Sequence, residues 1–377
     1  MEERKEKALL VGVAKSSRER WDEADRLEEL ALLVETAGAE VFEKVLQVRE
    51  KIDPRFYIGK GKAYQIREIV EQFGIDLVVF DTELTPSQVN NLEEIIGVKV
   101  LDRTEVIMDI FAQHARTSEA KIQVELAQLM YRLPRLTGKG LALSRLGGGI
   151  GTRGPGEKKL EVDRRRILDR IHFLKQKLKT IERSREIQRK RRQHILKVSL
   201  VGYTNAGKSS IMNCLTRAHV RVEDKLFATL DATTRVLFLP NFPYRVVLSD
   251  TVGFIENLPP DLVASFHATL GVVREADLLL HVIDITCERL DEKIQVVEDV
   301  LKDLGARDKP LIRVFNKIDM LLDRTMIEKL ADRYENSVFV SALSGENIDG
   351  LIEKIKSDLE KLIPYGSRTV DLSGDFY

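Results

Sequence analysis

Apolar and polar positions divide the chain into three stretches with different periods. From residue 1 to 103, short apolar runs alternate with amphipathic ones. Ala8–Ala14 is almost wholly apolar and predicts a buried strand. Asp22–Thr36 carries Leu27, Leu30, Leu33 and Val34 at helical spacing. Ala39–Val48 predicts a second strand, Lys62–Gln72 a helix, Ile75–Phe80 a strand, Pro86–Ile96 a helix and Val98–Leu101 a strand. Strands that alternate with helices predict a parallel sheet with helical crossovers, a small α/β domain over residues 1–103.

Residues 104–195 change to long helical periods. Thr104–Leu133 is one pattern, with Ile107, Ile110, Phe111, Ala115, Ile122, Leu126 and Leu129 on or near one face, and Pro134 is expected to interrupt it. From Leu160, the positions Leu160, Ile167, Ile171, Leu174, Leu178 and Ile181 form a heptad seam. The two patterns predict a long antiparallel helical hairpin. Gly138–Gly156 between them, with the glycines of 147–156, predicts a flexible, irregular loop. Residues 196–362 return to alternation, with strands expected at Lys197–Val201, Arg235–Leu239, Arg245–Ser249, Leu278–Asp284, Leu311–Phe315 and Ser337–Val340. That is a second α/β unit with a mostly parallel sheet, followed by a short tail over 363–377.

The charge changes the picture. The 377 residues hold 60 Lys+Arg and 60 Asp+Glu, a formal net charge of zero. Residues 131–197 alone hold 21 basic and 6 acidic side chains. A strongly basic segment thus sits inside an acidic remainder, which points to an anionic partner. The two cysteines, Cys214 and Cys287, make no disulfide framework or cysteine-rich zinc site, and they fit a reducing cytoplasm. They are expected to be small buried residues. The apolar run after the charged Glu2–Lys7 ends at Lys15 and reads as a strand, not a secretory signal. No apolar run reaches about 18 residues, so no membrane span is expected. Trp21 is expected to anchor packing, and His114 has no assigned role.

The strongest motif is Gly202-Tyr203-Thr204-Asn205-Ala206-Gly207-Lys208-Ser209, which fits G-x-x-x-x-G-K-[ST] between an apolar strand and the helix-like Ser209–Leu215. Such a loop aims backbone N–H groups at phosphate oxygens, and the following helix adds its positive end. Lys208 reaches the β- and γ-phosphates, and the Ser209 hydroxyl binds Mg²⁺. Asp250-Thr251-Val252-Gly253 follows a strand, which suits Asp250 to the water shell of Mg²⁺ and the Gly253 N–H to the γ-phosphate. Phe227-Ala228-Thr229-Leu230-Asp231 lies between these motifs. Thr229 is the choice for the second Mg²⁺ hydroxyl, with Thr233 and Thr234 as competitors. Asn316-Lys317-Ile318-Asp319 follows another strand. A carboxylate accepts both the N1–H and the N2–H of guanine, so Asp319 selects guanine, with Asn316 supporting the pocket and the Lys317 stem packing on the base. Ser341-Ala342-Leu343 follows the last strand and offers the Ala342 N–H to guanine O6. Lys208, Thr229 and Gly253 are the expected catalytic set.

These motifs, in this order, resemble a translation-factor-type P-loop GTPase. Gly147–Arg166, Asp53–Lys62 (DPRFYIGKGK) and Gly253–Asp277 further resemble the linker, N-terminal signature and switch region of the HflX family. The resemblance spans about residues 5–365 and implies GTP hydrolysed to GDP. It also implies the large ribosomal subunit and its rRNA as partner, with a role in dissociating or rescuing stalled ribosomes under stress. The short tail suggests that the extra C-terminal domain of longer members is missing. In P-loops of this kind an asparagine such as Asn205 helps hold K⁺ by the phosphates. Many small GTPases place a water-orienting glutamine where this chain has Phe254, so slow intrinsic hydrolysis is expected. The basic arm holds Arg164–Arg166 and Arg183–Arg192 with few aromatics, which suits backbone contacts to folded RNA. The protein is expected to be a monomer. Two rival readings stay open: an ATP- or GTP-driven RNA remodeller, and a nucleotide-switched scaffold without an RNA role.

Overall fold

A computed structural model of the chain describes residues 4–144, 155–190, 195–216, 226–227, 233–256 and 271–363. Contacts divide the chain into two compact units, Met1–Lys179 and Thr180–Tyr377.

The first unit holds β1 (Lys7–Ala14), α1 (Arg20–Ala37), β2 (Glu40–Val48), α2 (Lys60–Phe73), β3 (Leu77–Phe80), α3 (Pro86–Ile96) and β4 (Lys99–Asp102). The four strands are parallel in the order β2-β1-β3-β4. The apolar run of β1 makes it a central strand, whereas the polar interruptions of β2 suit its place at the edge. At the start of α3, the Thr85 side chain accepts from the Gln88 N–H while the Gln88 side chain accepts from the Thr85 N–H, and Pro86 fills the first turn. Trp21 does not anchor packing: it is 79% exposed on the first turn of α1.

The helical pattern from residue 104 breaks into two helices, α4 (Arg103–His114) and α5 (Ser118–Ser144). Ala115 leaves the helical conformation, and the Thr117 hydroxyl accepts the Ala120 N–H to start α5. Pro134 does not end the helix; it lies inside α5. Its neighbours hold that turn. The Tyr131 hydroxyl donates to the buried Asp102 carboxylate, and Arg135 donates to Asp102 (3.2 Å) and to the Leu84 carbonyl (2.8 Å). The long helix α6 (Pro155–Lys190) packs Ile171 and Leu174 against Leu126, with Ile122, Leu129, Ile167 and Leu178 around them. That is the expected hairpin seam; the Leu160 side chain and residues 145–154 lie outside what is described, and α5 runs on to Ser144, into the segment expected from Gly138 to be irregular.

The second unit holds β5 (Ile195–Gly202), α7 (Lys208–Thr216), β6 (Thr233–Leu237), β7 (Arg245–Asp250), α8 (Gly271–Glu275), β8 (Leu278–Asp284), α9 (Leu290–Asp303), β9 (Leu311–Asn316), α10 (Thr325–Arg333), β10 (Ser337–Phe339) and α11 (Ile348–Leu362). Its sheet runs β10-β9-β8-β5-β7-β6, parallel except for the antiparallel pair β6–β7. Strand β6 starts two residues earlier than expected and takes in both Thr233 and Thr234. Aliphatic side chains of β5, β8 and β9 form one core with α7 and α11. The C-terminal ends of β5, β7 and β9 lead directly into the Gly202, Asp250 and Asn316 motifs, where an open α/β sheet binds its ligands.

Candidate functional site

The loop from Gly202 to Gly207 curls tightly after β5. A Cβ on Gly207 (φ +93°) would sit 2.2 Å from Asn316 Nδ2, and one on Gly202 would sit 2.3 Å from the Val282 carbonyl oxygen. Only glycine fits either place. Asn205 takes the left-handed conformation at φ +58°, which asparagine tolerates. Lys208 folds back across the loop, and its Nζ donates to the carbonyls of Gly202 (3.1 Å) and Tyr203 (2.8 Å). Burial pulls its pKa down to about 8, and the nearby Asp250 carboxylate works the other way.

In the next turn, the Ser209 hydroxyl donates to Asp250 Oδ2 at 2.6 Å. Asp250 ends β7 and is fully buried, and Thr251 donates its hydroxyl to the Leu200 carbonyl at 2.7 Å. The chain then returns to the loop. Phe254 donates its N–H to the Gly202 carbonyl (3.1 Å), and its own carbonyl accepts from the Thr204 N–H (2.8 Å). This short bridge presses Gly253 onto the loop: a Cβ there would sit 2.8 Å from Thr204 Cγ2 and 3.0 Å from Lys208 Nζ. The Phe254 ring is completely enclosed. The residue after Gly253 therefore offers water neither a polar group nor an exposed one.

The donor set by α7 suits a hard cation. Mg²⁺ takes oxygen ligands and keeps several waters, so one hydroxyl with a carboxylate behind it is the expected protein share. Ser209 and Asp250 supply that pair. Thr229 lies outside the described residues, with Ala228, Leu230 and Asp231. Phe227 is buried. Of the competing threonines, Thr234 sits in β6 with its hydroxyl 2.9 Å from that of Ser249, and Thr233 pairs with Asp250 in the same ladder.

On the far side of the loop, the buried Asn316 joins two motifs. Its Nδ2 donates to the Ala206 carbonyl (3.0 Å), and its Oδ1 accepts the Ala342 N–H (2.9 Å). The Ala342 N–H, expected to face a base, is therefore engaged by Asn316 in this structure. Lys317 stands at φ +69° with its Nζ 2.6 Å from Asp284 Oδ2, which fixes where its aliphatic stem runs. The short 3₁₀ turn Ile318–Met320 leaves Asp319 exposed at the rim. Ser341 is buried and accepts from the Ser344 N–H, while Leu343 is exposed.

Sequence reasoning missed a cluster beside the loop. The Tyr203 hydroxyl accepts the Glu256 N–H (3.0 Å), the Lys293 ammonium lies 4.8 Å from its ring centroid, and Arg289 pairs with Glu256 at 3.2 Å. Nothing in the motif singles out Tyr203, because its partners come from α9 and the segment after Gly253. The cysteines are half-buried, not buried, and the Cys214 thiol donates to the Ala342 carbonyl at 3.2 Å. Among the described residues, no helix is long and apolar enough to cross a membrane, and no three His, Cys, Asp or Glu side chains converge to hold a metal.

A Gly-Lys-Ser loop between strand and helix, a buried acid behind the serine and an asparagine clasp at the end of β9 define a P-loop GTPase. Comparison with known proteins gives the same class. Residues 24–112 match a family described as GTP-binding GTPase N-terminal, residues 114–192 one described as GTP-binding GTPase Middle Region, and residues 197–317 one described as 50S ribosome-binding GTPase. The chain is 52% identical to a GTPase HflX of Caldanaerobacter subterraneus over 95% of its own length and 81% of the relative's. It is 45% identical to the Escherichia coli GTPase HflX, covering 88% and 79% of the two chains. A solved structure described as a crystal structure of an SsGBP and GDP complex aligns over 94% of this chain and 99% of that one, with 28% identity and a TM-score of 0.52. The chain belongs to the GTPase HflX family.

Proposed function

We propose that the chain is a guanine-nucleotide switch that engages the large ribosomal subunit through its basic helical arm. In this reading it dissociates or rescues stalled ribosomes under stress. The observation that carries the proposal is the solvent side of α6: Arg164, Arg165, Arg166, Lys175, Lys177 and Lys179 are all exposed while Ile171 and Leu174 turn inward, and Arg170 pairs with Glu125. An exposed cationic stripe on a stiff helix is built to meet phosphates, and its counterions are released on binding. The description of the family matched at residues 197–317 supports the same partner. The N-terminal sheet over 1–103, the arm over 104–195 and the nucleotide domain over 196–362 would then act as three working parts, in a monomer in the cytoplasm.

In the nucleotide domain, the loop 202–207 cradles the phosphates and Lys208 turns from the Gly202 and Tyr203 carbonyls to the β- and γ-oxygens. Ser209 and Thr229 would hold Mg²⁺ with Asp250 behind them, and the Gly253 N–H would meet the γ-phosphate. Bound Mg²⁺ neutralises charge on the phosphates during transfer. Asp319 reads the N1–H and N2–H of guanine, and Asn316 fixes the pocket wall. For Ala342 to reach O6, its N–H must leave Asn316 Oδ1. Asn205 would supply one oxygen to a K⁺ ion if one binds there. With Phe254 enclosed, turnover of the isolated chain is slow.

The test is GTP hydrolysis with and without purified large subunits, in potassium and in sodium. Strong stimulation by subunits, reduced by Arg164, Arg165 and Arg166 exchanged for glutamate, is the expected result. Unchanged turnover, with RNA binding that does not weaken as salt rises, would refute the ribosomal half. Equal rates in the two salts would remove the K⁺ ion.

A further inference from the structure

The hydrolysis site contains a polar atom without a partner. Thr204 is only 7% exposed, and its hydroxyl has no hydrogen-bond partner among the described residues. Buried hydroxyls nearly always have one, so an orphan at a binding site marks a place where a ligand atom belongs. The neighbours of Thr204 place it within the loop. Its Cα and Cγ2 lie 2.9 and 2.8 Å from where a Cβ on Gly253 would stand, and Lys208 Nζ is 3.0 Å from the same point. Its own N–H is held by the Phe254 carbonyl at 2.8 Å, so the residue is fixed in place before any ligand arrives. The Thr204 methyl and backbone, Gly253 and Lys208 Nζ thus lie together, which sets the Thr204 side chain beside the lysine of the loop. The Phe254 ring beside them is enclosed and carries no polar group.

We propose that the Thr204 hydroxyl hydrogen-bonds the terminal phosphate and the attacking water, and is a catalytic residue in the absence of a glutamine. The proposal rests on the reading of this loop as the GTP phosphate cradle. A hydroxyl both donates and accepts. Here it donates to a γ-phosphate oxygen and accepts one hydrogen of the water. The water oxygen attacks the γ-phosphorus, the bond from that phosphorus to the β–γ bridging oxygen breaks, and the bonding pair stays on GDP. The water proton leaves with the released phosphate. The Gly253 N–H and Lys208 already position the γ-phosphate, so the hydroxyl adds a contact to it and to the attacking water. It has no role with GDP, which lacks that group.

The test compares Thr204→Val, which keeps the shape and removes the hydroxyl, with Thr204→Ser, which keeps the hydroxyl. Loss of a single positioned donor at a developing charge typically lowers turnover by about 10²–10³-fold. The expected result is a fall of that order in single-turnover GTP hydrolysis for Thr204→Val, GDP affinity within about twofold of wild type, and most activity kept by Thr204→Ser. GDP binding also reports that the variant is folded. Wild-type hydrolysis by a Thr204→Val protein that binds GDP normally would overturn the proposal, as would equal losses in both variants. Failure of the wild-type chain itself to bind GDP would instead refute the phosphate-cradle reading beneath it.

Discussion

Replacing Asn316 with alanine tests whether one side chain holds the phosphate and base halves of the site together. The side chain is 2% exposed, donates to the Ala206 carbonyl at 3.0 Å and accepts from the Ala342 N–H at 2.9 Å. Asn316→Ala removes both bonds and leaves two buried backbone groups without them. At about 1–1.5 kcal/mol for each bond, the loss is about 2–3 kcal/mol. The Ala342 bond opens when its N–H turns to the base, so only the Ala206 bond can appear in GDP affinity, about five- to tenfold. Some of the loss falls on the fold, because the clasp exists before nucleotide binds. Two measurements on one preparation separate the shares: titration with a fluorescent GDP analogue, and urea unfolding of the nucleotide-free protein. Their sum should reach the stated range. A sum below about 0.5 kcal/mol would refute the clasp as a source of binding energy. Asn316→Asp should be worse than alanine, because it sets a carboxylate oxygen against the Ala206 carbonyl.

Other consequences can be checked separately. Lys208 has its pKa lowered to about 8 by burial, and phosphate should raise it, so GDP binding at pH 8 should take up close to half a proton; calorimetry in two buffers of different ionisation heat reads this directly. The unfolded lysine keeps its ordinary, higher pKa and so holds more protons between about pH 8 and 10.5. Nucleotide-free stability should therefore rise with pH across that window, and a flat profile would contradict it. Phe254→Gln should not create a faster GTPase: it buries an amide and opens a cavity where the ring was, at about 3–5 kcal/mol, seen as a lower urea midpoint with no gain in turnover. Asp319→Asn should weaken GTP binding by at least tenfold and favour xanthosine triphosphate, whose O2 accepts where guanine donates; unchanged preference in a competition assay would remove Asp319 from the base pocket.

The fold was readable in the sequence wherever local chemistry and tertiary packing agree. Leu278–Asp284 and Pro86–Ile96 have the expected bounds, the first because an apolar run suits a central strand, the second because Thr85, Pro86 and Gln88 mark its start. Pro134 misled because a proline normally ends a helix, and here Tyr131 and Arg135, anchored on Asp102 from a distant strand, hold the turn through it. The break at Ala115 carried no glycine or proline to announce it. Trp21 misled because a lone tryptophan suggests a core, yet its turn of α1 faces outward. In the site, the motifs located the segments at Gly202, Asp250 and Asn316, each at the end of a strand. They could not give the clasp between Asn316 and Ala342, the enclosure of Phe254 or the orphan hydroxyl of Thr204. Those depend on how three loops curve towards one another.

The cluster around Tyr203 has a consequence for how such a site reports outward. Tyr203 belongs to the phosphate loop, but its ring lies against Lys293 and its hydroxyl holds the backbone of Glu256, which in turn pairs with Arg289. The base end of the pocket is tied to the same loop by a different clasp, on Asn316. The loop at 202–207 is therefore tied in two directions. One tie runs to the start of α9, the other to the end of β9. A partner resting on α9 would bear on the first tie without touching the second.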